Sequence, residues 1–201
     1  MLTFDHIAIA GRSLDEATAY VSETLGVPLD PGGKHAAFGT HNRLLSLGDL
    51  YLEVIALDPD AQRSGPSWFG LDRFDGPPRP ANWICRTDDL DSAILAAPVE
   101  PGPVRDLSRG VLEWQITVPE DGSLPLGGAY PTLIRWGEGM VHPTVNLTPR
   151  GCRLIRWEVH HPDADLLRAQ VRIDDPRVSF ETGAPGFVAV IDTPSGERRL
   201  E

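Results

Sequence analysis

The chain of 201 residues is 41% apolar and carries a formal net charge of −11, with a pI near 4.9. That length can bury a substantial core as one domain or as tightly joined small units. The acidic balance argues against nucleic acid and anionic membrane as partners, since both need a basic face. No apolar run approaches the span of a bilayer, and the N-terminus enters a strand pattern without a basic region or an apolar signal core. A cytoplasmic protein that handles small molecules is expected. Cys85 and Cys152 lack CxxC spacing and read as small buried hydrophobes in a reducing compartment. Lys34 is the only lysine, which codon usage in a GC-rich bacterial genome explains without a functional cause.

The first strand-like run is Phe4-Asp5-His6-Ile7-Ala8-Ile9-Ala10. A helical pattern follows from Leu14 to Leu25, with Ser13 placed to cap the free N–H groups of its first turn. Three strands are then predicted at His35–Gly39, Asn42–Ser46 and Leu50–Ile55, the first two joined by a tight turn near Thr40-His41. These make a βαβββ unit over residues 1–62. Residues 63–80, rich in proline and glycine, read as a linker or lid. Its aromatics Trp68, Phe69 and Phe74 argue that it packs over a cavity or interface, with Trp68 the best lid residue.

Repetition organises the remainder. Leu90-Asp91-Ser92-Ala93 looks like a copy of Leu14-Asp15-Glu16-Ala17, and Ala164-Asp165-Leu166-Leu167 like a weaker one. Eight residues before each lie His6, Asn82 and Arg156, each within a strand-like run. A second module is expected over 81–150, with strands at Arg105–Leu107, Leu112–Val118 and Leu133–Trp136. A third, shorter βαββ unit is expected over 151–201, with strands near Arg177–Glu181 and Phe187–Asp192. The expected fold class is α+β: repeated βαβββ modules whose curled mixed sheets surround a cavity, plus the shorter third unit, in one compact whole.

His6 and Glu53 are the chemical signal. Each is polar within an apolar strand, and period-two geometry can bring both to one sheet face. A neutral imidazole and a carboxylate facing one cavity begin a site for Zn, Fe, Mn or Ni. The pattern resembles the vicinal oxygen chelate superfamily, and within it the glyoxalase-like domain family. The resemblance rests on Asp5-His6-Ile7-Ala8-Ile9-Ala10 with the helix start Ser13-Leu14-Asp15-Glu16-Ala17, the turn region around His41-Asn42-Arg43, Tyr51-Leu52-Glu53-Val54-Ile55, Pro131 to Trp136 with His142-Pro143, and His161-Pro162. It implies paired modules around a cavity where a divalent ion chelates adjacent substrate oxygens, and superfamily members often dimerise by pairing modules. His6 and Glu53 match the family's metal ligands of the first module. In the second module, Asn82 stands where His6 would have its partner and Arg135 is the residue expected opposite Glu53, so a four-ligand site is not reproduced.

Two routes stay open. His142 could fold over the cavity and complete a His6, Glu53, His142 set with open positions, or it is an ordinary loop histidine. Arg86 and Arg135, with Arg156, lie in strands where desolvation demands a partner. That partner is either an internal carboxylate (Glu53, Glu113 or Glu158) or a substrate carboxylate or phosphate. Trp83, Trp114, Trp136 and Trp157 read as core. The leading expectation is an enzyme of lyase, isomerase or dioxygenase type on a small oxygen-rich substrate, with Glu53 and His6 catalytic, Arg135, Arg86, Asn82 and Trp68 touching substrate, and a divalent metal held by His6, Glu53 and His142. The alternative is a metal-free binding or resistance-type protein with an arginine-lined cavity.

Overall fold

Strand β1 (Thr3–Ala10) alternates between two destinations, with Ile7 and Ile9 entering the main core and Ala8 and Ala10 a smaller cluster on the opposite face. Helix α1 (Leu14–Leu25) starts where Ser13 Oγ accepts the N–H of Glu16 and stops at Gly26, whose φ of 70° closes the last turn onto the Ser22 carbonyl. Its buried Ala17, Val21 and Leu25, four residues apart, form one stripe against the sheet. Strands β2 (Asp30–His35), β3 (Thr40–Ser46) and β4 (Tyr51–Leu57) complete the first βαβββ module. Strand β5 (Arg79–Arg86), helix α2 (Leu90–Leu95) and strands β6 (Val104–Arg109), β7 (Leu112–Thr117) and β8 (Thr132–Trp136) repeat it.

This computed structural model describes residues 1–201. Its eight-stranded mixed sheet runs β2-β3-β4-β1-β5-β8-β7-β6, the modules joined where β1 and β5 pair antiparallel. The sheet curls until its edge strands approach: Arg109, the last residue of β6, reaches His35, the last residue of β2. The cavity lies inside this curl. Strand β9 (Arg153–His161), helix α3 (Ala164–Gln170) and strands β10 (Val178–Thr182), β11 (Gly186–Thr193) and β12 (Gly196–Leu200) form a second sheet of order β10-β9-β11-β12. Trp157, Phe187, Ile191 and Leu200 join Ile7, Trp83 and Leu133 in one core. The third unit therefore backs the outer face of the large sheet, and the second module closes the cavity. Each fully buried Leu or Ile in this core stabilises the fold by about 2 kcal/mol.

The structure revises three expectations. The second strand lies upstream, at Asp30–His35, and the turn is Ala36–Gly39, closed by N–H groups of Phe38 and Gly39 on the His35 carbonyl. Thr40 and His41 consequently belong to β3. The third unit has a further strand, β12, which pairs with β11 and makes it βαβββ in chain order, though with β9 internal. Trp68 is no surface lid: it is buried between the rings of Phe38 and Phe69, with centroids 4.5 and 4.8 Å away. No helix is long and apolar enough to cross a membrane.

Candidate active site

A β-bulge builds the first half of the site. Between Phe4 and His6 the register advances two residues on β1 against one on β5, leaving Asp5 as the extra residue. In a flat strand, neighbours point to opposite faces. Here Asp5 Oδ1 reaches His6 Nδ1 at 2.6 Å, with the carboxylate wholly buried. Asp5 Oδ2 accepts from Trp136 Nε1 at 3.0 Å and His142 Nε2 at 3.1 Å, with Arg86 at 3.4 Å. Burial alone would raise the Asp5 carboxyl, but the hydrogen bonds from His142 and His6 outweigh it and hold the group far below the usual carboxylate range. The network assigns the His6 proton to Nδ1 and leaves Nε2 bare toward the cavity.

Glu53 supplies the second half. Its Oε2 lies 3.8 Å from His6 Nε2, and both residues are about 5% exposed. Asn42, on β3 beside β4, donates Nδ2–H to Glu53 Oε1, which orients the carboxyl and leaves Oε2 for chemistry. Tyr51 stacks on the His6 ring at 4.3 Å, and burial, then the nearby Asp5 and Glu53 charges, push its phenol well above its ordinary value. It remains a neutral wall.

The far wall comes from both hairpin tips. His35 Nδ1–H donates to Thr40 Oγ1 at 3.0 Å, and the same oxygen accepts from Trp68 Nε1. His35 Nε2 is left to accept from the Arg109 guanidinium at 3.4 Å. Burial first, with Arg109 adding, lowers the His35 pKa from 6.5 to about 4 despite the opposing Glu53 charge, so this imidazole is neutral at physiological pH. The cavity so bounded measures about 30 Å³, with room for a functional group of a substrate. A groove of about 780 Å³ along β6, β7 and β8, lined by residues of both faces, is larger, but neither His6 nor Glu53 lines it.

Residues 4–173 match the family model described as glyoxalase-like domain. The chain belongs to the glyoxalase-like domain family. Its vicinal oxygen chelate fold is shared with a hypothetical protein from Staphylococcus aureus, at a TM-score of 0.63 and 16% identity over 92% of this chain and 88% of that one. Methylmalonyl-CoA epimerase from Mycobacterium tuberculosis aligns at a TM-score of 0.43 and 20% identity, over 66% of this chain and 85% of that one. A Streptomyces coelicolor methylmalonyl-CoA epimerase aligns at 0.46 and 18%, over 71% and 100%. Among curated proteins, none matches the chain.

In this glyoxalase-like protein, His6, Glu53 and Trp68 line one cavity, whereas the other expected site residues go elsewhere. Arg135 alternates with Ile134 and Trp136, which face the curl, and so points to the outer face, where it donates to Gln115. Strand register explains the correction. Ala8, two beyond His6, pairs with Glu53, and Ile84, two beyond Asn82, pairs with Thr132. The counterpart of Glu53 is therefore Thr132. Asn82 shares the inner face but is bound to Thr132 Oγ1 at 2.9 Å and does not reach the cavity. Arg86 finds an internal carboxylate, Asp5 rather than Glu53, Glu113 or Glu158, while Arg156 pairs with Glu158. Trp114 and Trp136, expected in the core, form cavity wall. Sequence reasoning assigned no role to Asp5, Asn42, His35, Tyr51 or Arg109.

Glyoxalase-like proteins often use divalent metals. The expected three-donor set does not fit one here. His142 donates through Nε2 to Asp5, and its remaining nitrogen faces Thr144 Oγ1 at 2.8 Å on its own loop. No three His, Cys, Asp or Glu side chains are arranged to hold one ion, and the Arg109 guanidinium shares the cavity that a cation would enter. His6 and Glu53 alone are two donors, where catalytic zinc sites use three. Cys85 offers no nucleophile, because burial pushes its thiol well up.

Proposed function

We propose that this protein is an enzyme of isomerase or lyase type that moves a proton on a small, oxygen-rich molecule, with His6 and Glu53 as the acid–base pair. One observation carries the reading: two opposed proton acceptors, His6 Nε2 and Glu53 Oε2, stand 3.8 Å apart on a cavity wall. Each is fixed from behind, His6 by Asp5 and Glu53 by Asn42. A carbon-bound proton entering between them lies within reach of either group. The group that takes the proton then holds it and returns it to the same or a neighbouring atom, while the opposed group stays unprotonated. Asp5 stabilises the imidazolium formed when His6 Nε2 takes a proton, as a buried carboxylate does behind a catalytic histidine. Positioned acid–base groups of this kind contribute about 10²–10⁴-fold. The two free cysteines are buried, in keeping with a reducing, cytoplasmic setting.

A second reading has His6 and Glu53 as the residues that would hold a divalent ion, which would supply Lewis-acid chemistry to substrate oxygens. The carboxylate behind His6 favours it, since metal-bound imidazoles commonly donate their other N–H to a carboxylate.

The test is solvent-deuterium incorporation at carbon next to the carbonyl of pyruvate and of hydroxyacetone, followed by NMR, together with metal analysis of protein purified without an affinity tag. The proton-transfer reading expects incorporation that survives chelation and falls about 10²-fold or more in His6→Ala and Glu53→Gln. Incorporation no faster than in protein-free buffer, or unaffected by both substitutions, rejects it. Stoichiometric metal lost in a folded His6→Ala protein establishes the second reading instead; metal retained in that variant rules it out.

A further inference from the structure

Arg109 is a cation at the mouth of the cavity without a carboxylate of its own. Of the other half-buried arginines, Arg86, Arg150 and Arg177 each have a carboxylate oxygen within 4 Å, whereas Arg43, Arg135 and Arg198, like Arg109, have none; Arg109 alone among these lines the cavity of His6 and Glu53. The contacts of Arg109 are neutral: Asn42 Oδ1 at 3.2 Å and His35 Nε2 at 3.4 Å, both from one terminal nitrogen. The other N–H groups of its fork have no partner in the protein. Among the cavity-lining residues only Arg109 and Trp136 are half-exposed, the rest being buried, so the entrance lies between them.

The fold makes room for this side chain at some cost to its own regularity. Strand β2 breaks register between Pro31 and Lys34. A Cβ on Gly33 would come within 2.7 Å of Arg109 Cδ, and the Gly33 N–H turns to Asn42 Oδ1. Asn42 thus links the two working groups, donating to Glu53 and accepting from Arg109. An arginine left in so acidic a chain without an internal anion, over a glycine-lined gap, is matched by an external one.

Resting on the proton-transfer reading, we infer that the substrate carries a carboxylate, gripped by the Arg109 fork while a nearby proton-bearing carbon lies at His6 and Glu53. A planar carboxylate suits the small cavity and the two-pronged guanidinium. A dianionic phosphate would bring twice the charge toward the Glu53 carboxylate on the same wall.

Binding is read by quenching of tryptophan fluorescence, since Trp68, Trp114 and Trp136 line the cavity, and it needs no turnover. Pyruvate and hydroxyacetone have the same carbon count and paired oxygens but differ in charge. Pyruvate should bind to the full-length protein at millimolar concentration or better, at least about tenfold more tightly than hydroxyacetone, as one charge-assisted fork provides. Arg109→Met should abolish the preference and Arg109→Lys restore part of it. Gly33→Ala, which crowds Arg109 without removing it, should weaken pyruvate and leave hydroxyacetone unchanged. Equal affinities in the unsubstituted protein, no pyruvate binding at millimolar concentrations, tighter binding of inorganic phosphate, or a preference that survives Arg109→Met in a folded protein each overturn the inference. Preferential binding without deuterium incorporation sinks the proton-transfer reading alone; incorporation without a charge preference sinks only the anion site.

Discussion

The two βαβββ modules place four pairs of residues at matching positions, and only one member of each pair is equipped for the same task. His6 and Glu53 answer to Asn82 and Thr132 by strand register. The last residues of the two outer strands, His35 and Arg109, also correspond, as do Asn42 and Trp114 two residues into the returning strands. The first module spends these positions on the opposed His6 and Glu53 and on the side chains that hold them. The second ties Asn82 Nδ2 to Thr132 Oγ1, with Asn82 Oδ1 buried and unpartnered, and sends Arg109 and Trp114 across to the first module's cavity. A duplicated backbone thus supplies one site made from both halves, and fold symmetry alone gives no licence to expect two.

The comparison can be broken most forcefully at Asp5. Asp5→Ala strands His6, His142, Trp136 and Arg86 without their common acceptor, and removal of one partner from such a buried charged cluster costs about 3–5 kcal/mol. Urea unfolding at neutral pH measures this. A loss below about 1 kcal/mol would mean that the cluster is not held by its carboxylate.

Acid sharpens the contrast between His35 and its counterpart Arg109. The folded pKa of His35, about 4, lies below the ordinary 6.5. The unfolded chain therefore binds the proton more readily, so the stabilisation is full above about 6.5 and declines as pH falls toward 4. The loss should reach about 3 kcal/mol. His35→Gln should flatten this limb of the stability curve, and a slope unchanged by that substitution would assign it to another group. Asp5, depressed further, is lost only at still lower pH.

The smallest effect is expected in the second module. Replacing Asn82 and Thr132 together by Leu and Val removes both ends of one buried hydrogen bond, which should change stability by no more than about 1 kcal/mol and leave pyruvate binding intact. A loss as large as that of Asp5→Ala would show that the second module's polar pair is also more than a filled position.

What the sequence reveals of this site follows from how far each residue depends on its own strand. His6 and Glu53 are legible because each interrupts an apolar strand at the correct parity. Asp5 is not, since alternation sends it to the opposite face and only a bulge, set by pairing with β5, turns it back. Arg135 lies on the outer face against expectation because an apolar run marks a strand without fixing its register, and one residue of slip exchanges the faces. Arg109 lies in Ser108-Arg109-Gly110, which reads as a solvent-facing turn, and its value comes from a strand more than sixty residues away in sequence. Strand β2 was placed too late because Pro31-Gly32-Gly33 has the composition of a loop. The modular fold is legible because repeated helix starts and strand alternation are local; the cavity is assembled by contacts that are not.

The irregularity of β2 bears on how solutes and other chains meet the molecule. Strands β2 and β6 are the two free margins of the curled sheet and face each other without forming a ladder. Pro31 has no N–H to offer, and the Gly33 N–H is already taken by Asn42. A fully zipped margin would produce a sealed can with its polar residues locked inside. A regular but open margin would invite strands of other molecules to add on. The broken register avoids both outcomes, so the stretch that blunts edge-to-edge polymerisation also leaves the room that Arg109 occupies at the cavity entrance.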